Sequence, residues 1–158
     1  METVKGKLFQ EISTKRVLSI CYQADENYYD LIRNAQRQGF RQIIITSDIM
    51  LGLCEHFLLE KNIEILSFDF LVEDDELDET IKSMLSSLYQ NKAYWSVLRR
   101  YMEFLQKEDS IDIKSTLFME KPSGEHFSLY VNGIFTASRQ YYKKISDFLS
   151  EYIARCLG

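Results

Sequence analysis

Proline and glycine are scarce in this chain, which has one proline, Pro122, and six glycines among 158 residues. Because these residues interrupt regular structure, their scarcity predicts that helices and strands occupy most of the chain. No apolar run approaches the roughly 18 residues that a membrane-spanning helix needs. The first thirteen residues are too polar for the core of a secretory signal. The sequence therefore predicts no membrane partner.

Cysteine is also sparse. Cys21, Cys54 and Cys156 are widely separated and form no Cys-x-x-Cys pair. An odd number of cysteines without a secretory segment is typical of reduced thiols inside a cell. We therefore expect a cytoplasmic protein.

The chain lacks the short motifs on which many nucleotide-dependent and hydrolytic enzymes rely. It contains no GxGxxG, no P-loop and no GxSxG, so nothing predicts a phosphate-binding loop or a nucleophile elbow. Cys54 and His56 lie two residues apart on a predicted helix and point in different directions, which argues against a shared zinc ion. His126, the other histidine, is predicted to lie in an exposed hairpin. No catalytic residue can be named from the sequence.

Positive charge is in the minority, with 19 lysines and arginines against 24 acids and a formal net charge of −5. Nucleic acid is therefore not favoured as a partner by net charge. A local basic patch on Arg33, Arg37 and Arg41, which are spaced by four residues, would be an exception. The bland interpretation of such charges is a solvated helix face.

The first half of the chain contains short β-branched runs that alternate with helical periodicity. The predicted strands cover 15–22, 41–46 and 63–68, and the predicted helices cover 25–38 and 49–61. This order, with short connections, predicts a βαβαβ unit with a short three-stranded parallel sheet. Three consecutive isoleucines, Ile43–Ile45, place the middle strand at the buried centre. Residues 1–10 fit either an edge strand or a short helix.

The pattern changes after residue 70. Helical spacing predicts helices over 75–90, 93–107 and 138–156, and an antiparallel meander is predicted at 115–120, 125–131 and 134–137. Asn132-Gly133 predicts a two-residue hairpin turn with positive φ at both positions. We expect a single α/β domain over residues 1–158, which the acidic run at 73–79 could divide into a 1–72 half and a 73–158 half.

Acidic residues follow each of the three predicted parallel strands. Asp25 and Glu26 follow the first strand, Asp48 follows the second, and Asp69 follows the third. Because the carboxyl ends of parallel strands share one edge of a sheet, these carboxylates could meet there and hold Mg²⁺. The simpler interpretation is that Asp25 and Asp48 cap the helices that follow them.

Adjacent aromatic residues recur on the predicted helices. In each pair, such as Tyr94-Trp95, helical spacing allows one ring to face the core and leaves the other off the apolar stripe. Tyrosine and tryptophan are frequent anchors of protein interfaces. We therefore predict a protein interface, with a second copy or a foreign partner, that includes Trp95, Tyr142 and Tyr29.

Two classes of function fit these features. The first is a non-enzymatic, protein-binding or regulatory module without a cofactor, which could form a homodimer. The second is a Mg²⁺-dependent phosphodiester or phosphate hydrolase that uses the acidic strand ends. The first class is favoured because each catalytic template lacks residues that it requires.

Overall fold

The computed structural model describes residues 2–23 and 25–157. It is an α/β structure in which seven strands form an antiparallel sheet and five helices accompany them. The strands are β1 (Thr3–Glu11), β2 (Val17–Tyr22), β3 (Phe40–Gln42), β4 (Ile63–Phe70), β5 (Ile113–Glu120), β6 (Glu125–Tyr130) and β7 (Ile134–Ser138). The helices are α1 (Tyr28–Arg37), α2 (Ser47–Glu60), α3 (Asp75–Gln90), α4 (Trp95–Glu108) and α5 (Tyr142–Leu157). Within the described ranges, no helix is both long and apolar enough to cross a membrane.

The chain divides into two compact units. The first unit comprises Met1–Ile45 and Phe127–Gly158, and the second comprises Thr46–His126. The first unit combines an early and a late segment of the chain. The prediction of a single α/β domain, with a possible division after residue 72, stays a prediction.

Strand β1 is the central strand of the first unit. It pairs antiparallel with β2 along one side, from Lys5 opposite Tyr22 to Gln10 opposite Val17. Along its other side it pairs antiparallel with β7 and then with β3. Helix α1 covers one face, where Phe9 packs with Ile32 and Ala35. Helix α5 packs against β2 and β7.

Gly6 in β1 allows the close approach of aromatic side chains. A Cβ atom at this position would lie 2.6 Å from the Phe135 ring and 2.7 Å from the Tyr142 hydroxyl oxygen. Those two rings stack with their centroids 5.3 Å apart. Glycine at position 6 therefore provides the space in which Tyr142 of α5 packs over the sheet.

The second unit packs α2, α3 and α4 with the antiparallel pair of β4 and β5. Its core includes an edge-to-face pair of Phe57 and Phe118, with centroids 5.4 Å apart. Each helix contributes an apolar face: α3 buries four residues at helical spacing, Leu77, Ile81, Leu85 and Leu88. This amphipathic pattern is what the sequence predicted for α3, whose limits agree with the structure.

The predicted parallel sheet is wrong. β2, β3 and β4 are not neighbouring parallel strands, because β2 and β3 each pair antiparallel with β1, and β4 pairs antiparallel with β5. The N-terminal segment, which the sequence left undecided, supplies the central strand. The α/β class itself is confirmed.

The predicted strand at 41–46 is also wrong over most of its length. Only Phe40–Gln42 is a strand, and the three isoleucines follow it. Ile43 and Ile45 are buried, but Ile44 between them is 58% exposed. Their backbone is held by bonds from Ile43 N–H to the Leu8 carbonyl and from Ile45 N–H to the Val131 carbonyl. Three consecutive β-branched residues therefore do not form a strand that is buried on both faces here.

The turn between β6 and β7 differs from the predicted type. Gly133 has φ of 83°, as expected, but Asn132 is not among the described residues with positive φ. Gly133 N–H donates to the Tyr130 carbonyl, and Ile134 N–H donates to the Asn132 side chain. This is the pattern of a three-residue loop in which a turn is followed by a left-handed glycine. The Asn132 side chain accepts a hydrogen bond from the Ile134 backbone N–H, and this bond does not require Asn132 to adopt positive φ.

Candidate functional site

The residues predicted to bind a metal ion are all exposed. Asp25 and Glu26 precede α1, whose N-cap is Asn27, and Asp48 lies in the first turn of α2, whose N-cap is Thr46. Asp69 lies in β4 and accepts a hydrogen bond from the Ser115 hydroxyl at 3.3 Å. The shared parallel edge that motivated this site is absent. Among residues 2–23 and 25–157, no group of three or more acidic, histidine or cysteine side chains is arranged to hold a metal ion.

The three residues predicted to form an interface have different environments. Trp95 is 3% exposed, and its indole N–H donates to Glu55 at 2.9 Å within the second unit. Arg99 bridges the same carboxylate at 3.2 Å, so these groups connect α4 to α2. Tyr29 is 73% exposed. Trp95 therefore lacks the exposure that motivated its assignment to an interface, whereas Tyr29 has it.

Tyr142, the third predicted interface residue, is partly buried in the first unit. Its hydroxyl oxygen lies 2.6 Å from the Ser19 hydroxyl oxygen, which is also 2.7 Å from the Ser146 hydroxyl oxygen. Burial raises the pKa of Tyr142, and its hydrogen bond with Ser19 opposes that rise. Ser19 belongs to β2, so this group of three hydroxyls fixes α5 to that strand.

Strand β2 is an edge strand of the first unit. In the described part of the chain it is paired along one side only, with β1. Its six residues, VLSICY, include no charge, proline or glycine. The pairing with β1 runs from Lys5–Tyr22 to Gln10–Val17 without a register shift. Charged residues, prolines and bulges are the features that usually protect an edge strand from further pairing, and β2 has none of them.

The hydrogen bonds of Leu8 show which backbone groups of β2 point away from β1. Leu8 is opposite Ser19, but its N–H donates to the Gly133 carbonyl and its carbonyl accepts from Ile43 N–H. Leu8 and Ser19 are therefore a non-hydrogen-bonded pair, and the Ser19 amide and carbonyl point outwards. By the alternation of an antiparallel ladder, those of Val17 and Cys21 do so too.

Side chains on both faces of β2 extend this open edge. Ile20 packs beside the cluster that includes Ile32 on the α1 side, yet it is only partly buried. Leu18 is also partly buried, and Cys21 is exposed with a free thiol. An added strand would therefore contact apolar side chains as well as the three outward-pointing peptide groups.

The two ends of β2 carry opposite charge. Lys15 and Arg16 precede the strand, and Asp25 and Glu26 follow it; all four are exposed. Arg16 has one weak partner in its own unit, Glu11, at 4.0 Å. An uncharged strand is thus flanked by a basic end and an acidic end.

The edge strand of the second unit is protected in the usual ways. In the described residues β4 is paired only with β5, and that pairing has two register shifts, between Ile65 and Ser67 and between Asp69 and Phe70. β4 also contains two acids, Glu64 and Asp69. Glu64 is buried and makes an ion pair of 2.8 Å with Lys121. Bulges and inward-pointing charges of this kind disfavour the addition of another strand.

Two further polar features were not found from the sequence. The fully buried Lys7 donates to the Asn132 carbonyl, its Nζ lies 6.0 Å from the centre of the Tyr28 ring, and burial lowers its pKa to about 8. In the second unit, Glu64, Tyr89 and Lys92 help to line a cavity of about 30 Å³. That volume admits one or two water molecules but no organic ligand. In the sequence Lys7 is separated from Lys5 only by Gly6, and this pattern gave no sign that Lys7 would be buried.

No protein-family model, no curated protein and no solved structure matches this chain. The functional assignment therefore rests on the geometry of the two edges.

Proposed function

We propose that this protein is a non-enzymatic cytoplasmic module that binds other polypeptides, and that a partner strand adds to the open edge of β2. The observation that carries the proposal is the unprotected edge itself: six uncharged residues in regular register, with the peptide groups of Val17, Ser19 and Cys21 directed outwards. Strand addition obtains affinity from backbone hydrogen bonds and selectivity from alternate side chains. The three free cysteines support the cytoplasmic part of the proposal.

The environment of β2 supports binding rather than a chance exposed edge. The hydroxyls of Ser19, Tyr142 and Ser146 hold α5 on one face, and the α1 core holds the other face. The edge is therefore positioned in advance, which reduces the entropy lost when a partner binds. Partly exposed Leu18 and Ile20 provide apolar contacts for alternate side chains of an incoming strand.

The proposal is tested with extended peptides selected by phage display on the immobilised, full-length protein. We expect the selected peptide to change the NMR amide signals of Val17, Ser19 and Cys21 more than those of Leu18 and Ile20. Peptides that perturb another surface, or failure of the library to yield a binder together with a monomeric protein, would contradict strand addition at β2.

A matched pair of variants isolates the backbone contribution. Cys21→Pro removes an outward N–H without removing a bond to β1, because proline is tolerated on the open side of an edge strand. Cys21→Ser changes the side chain and keeps the N–H. We expect the proline variant to lose peptide binding at least about tenfold and the serine variant to bind normally. Thermal melting of both variants confirms that each is folded.

A further inference from the structure

We infer that the strand that adds to β2 is the β2 strand of a second copy of this chain, so that the protein forms a symmetric homodimer through an antiparallel β2–β2 pair. This inference rests on the proposed function and names its partner. The observation that selects a second copy is the charge pattern of the edge: Lys15 and Arg16 at one end, Asp25 and Glu26 at the other.

A two-fold axis turns this pattern into complementary contacts. When two copies of β2 run antiparallel, the basic end of each lies beside the acidic end of the other. An axis at Ile20 passes near the middle of the six-residue strand, with Lys15 and Arg16 beyond one end and Asp25 and Glu26 beyond the other. A parallel arrangement would instead place like charges together at both ends, which disfavours it.

The hydrogen-bond pattern is compatible with an axis through Ile20. The outward peptide groups belong to Val17, Ser19 and Cys21, so these residues must form the hydrogen-bonded pairs of a new ladder. With Ile20 opposite Ile20 of the second copy, Ser19 faces Cys21 and both contribute outward groups. Ile20 is then a non-hydrogen-bonded pair, in which side chains approach most closely.

The same register covers the side chains of Leu18 and Ile20, which the isolated chain leaves partly exposed. On the α1 face, Ile20 meets Ile20 of the second copy, and Leu18 meets Tyr22, which is already buried in its own chain. Aromatic and β-branched side chains that face each other across a ladder stabilise strand pairing. A second copy is therefore a partner that matches the edge in charge, hydrogen bonding and apolar contact.

Charge reversal and mixing test the inference. The basic end is reversed by Lys15→Glu with Arg16→Glu, and the acidic end is reversed by Asp25→Lys with Glu26→Lys. By analytical ultracentrifugation we expect wild type to dimerise, and each double variant to show a dissociation constant raised at least about tenfold. An equimolar mixture of the two double variants should recover a heterodimer, because each then presents opposite charge to the other.

The control is a reversal of equal charge elsewhere, Lys82→Glu with Lys114→Glu, both of which are exposed. This control should dimerise like wild type. The register is tested by Ile20→Cys in a background with Cys21→Ser and Cys156→Ser. Directly opposed residues of a non-hydrogen-bonded pair have Cα atoms about 4.5 Å apart, within the range of a disulfide. Ile20→Cys should cross-link under oxidation, and Leu18→Cys in the same background should not.

The outcomes separate this inference from the proposed function. A wild-type monomer that still binds selected peptides at β2 would overturn the homodimer and leave the binding function intact. A wild-type dimer that neither charge reversal weakens, and that Ile20→Cys does not trap, would place the dimer contact on another surface and overturn the inference. A monomer that binds no peptide at β2 would overturn both.

Discussion

The edge strands of the two units differ in how well they are protected from pairing with a further strand. β4 contains two acids, its pairing with β5 has two register shifts, and one of its acids is paired with Lys121. β2 has no charge, keeps one register throughout, and carries its charge only beyond its ends. An unprotected edge favours further pairing, and this difference within one chain is the basis for proposing β2 as a binding edge. Whether an edge strand is protected from further pairing therefore depends on both its composition and its register.

The two units also treat strand charge differently. Glu64 of β4 is buried but has a lysine partner, whereas Lys7 of β1 is buried and has no acidic partner among the described residues. A buried charge without a counter-ion costs stability. The first unit therefore contains a cationic group that is neutralised more easily than an ordinary lysine, as its lowered pKa reflects.

The triple-isoleucine segment of the first unit should behave as core at Ile45 and as surface at Ile44. Ile45 is fully buried, so Ile45→Ala should lower the free energy of unfolding by about 2–5 kcal/mol. Ile44 is largely exposed, so Ile44→Ala should change it by less than about 0.5 kcal/mol. Urea denaturation of both variants provides the measurement. Equal, large losses would contradict the exposure of Ile44.

Gly6→Val should disturb the contact that holds α5 over β2. Its side chain would overlap the Phe135 ring and the Tyr142 hydroxyl, and such overpacking costs about 1–3 kcal/mol. The same variant should weaken peptide binding at β2, because α5 positions the edge. Gly39→Ala is the control, since a Cβ there meets no atom within 4 Å and adds only the cost of a positive φ. Denaturation together with peptide affinity tests the link.

The stability of the protein should rise between about pH 7.5 and pH 9.5 by about 2 kcal/mol. The Lys7 pKa of about 8 in the folded state is lower than its ordinary value of 10.5. Below pH 8 both states hold the proton, and the cost of the buried charge is fully present. Above pH 8 the folded state loses the proton first, so the cost is relieved. Denaturation across this range measures the slope.

Lys7→Met is the control for that pH dependence. It removes the titrating group, so the rise attributed to Lys7 should vanish and the variant should be more stable than wild type at pH 7. The difference between wild type and variant also cancels the contribution of tyrosines with raised pKa, Tyr22, Tyr28 and Tyr142. A variant with the same slope as wild type would show that Lys7 is not the responsible group.

Asp69→Val should make the edge of the second unit resemble that of the first. Asp69 is exposed and has one hydrogen bond, from Ser115 at 3.3 Å, so the change in stability should be less than about 1 kcal/mol. Self-association measured by light scattering should increase, because a protecting charge is lost from the edge. Unchanged association would mean that the two register shifts and Glu64 protect β4 without Asp69.

The smallest effect is expected from divalent cations. A cation shared by Asp48 and Asp69 would raise the melting temperature with Mg²⁺, and either Asp48→Asn or Asp69→Asn would remove that rise. We expect no rise, because the described residues contain no group of three candidate ligands arranged around one point. Melts with Mg²⁺ and with Mn²⁺ give the answer. A shift that both variants abolish would restore the hydrolase hypothesis.

Local patterns predicted the helices well. α3 begins and ends where its acid-led apolar periodicity indicated, and α1, α2, α4 and α5 are present with limits shifted by a few residues. The starts of α1 and α2 are set by capping: Asn27 and Thr46 accept hydrogen bonds from amides of the first turn, although Asp25 and Asp48 are equally good capping residues by type. Which of several nearby candidates caps a helix depends on the path of the chain before it.

The candidate site was only partly visible in the sequence. The run Val17–Tyr22 was identified as a strand, but its interpretation as a covered parallel strand concealed the open edge. The signal that could have found it is the change from basic residues, Lys15 and Arg16, through eight uncharged ones, to acidic Asp25 and Glu26. Nothing in the sequence indicated that the indole N–H of Trp95 donates to the carboxylate of Glu55, forty residues away.

The sequence by itself determined which segments are helices, where the β6–β7 hairpin turns, and which residues are apolar enough to form a core. Those properties depend on the spacing of neighbouring residues. Only the tertiary structure decided the direction and partner of each strand, because parallel and antiparallel strands share one local pattern. Thr3 pairs with Ser138, far along the chain, so β1 is paired on both sides and β2 on one side only in the described residues.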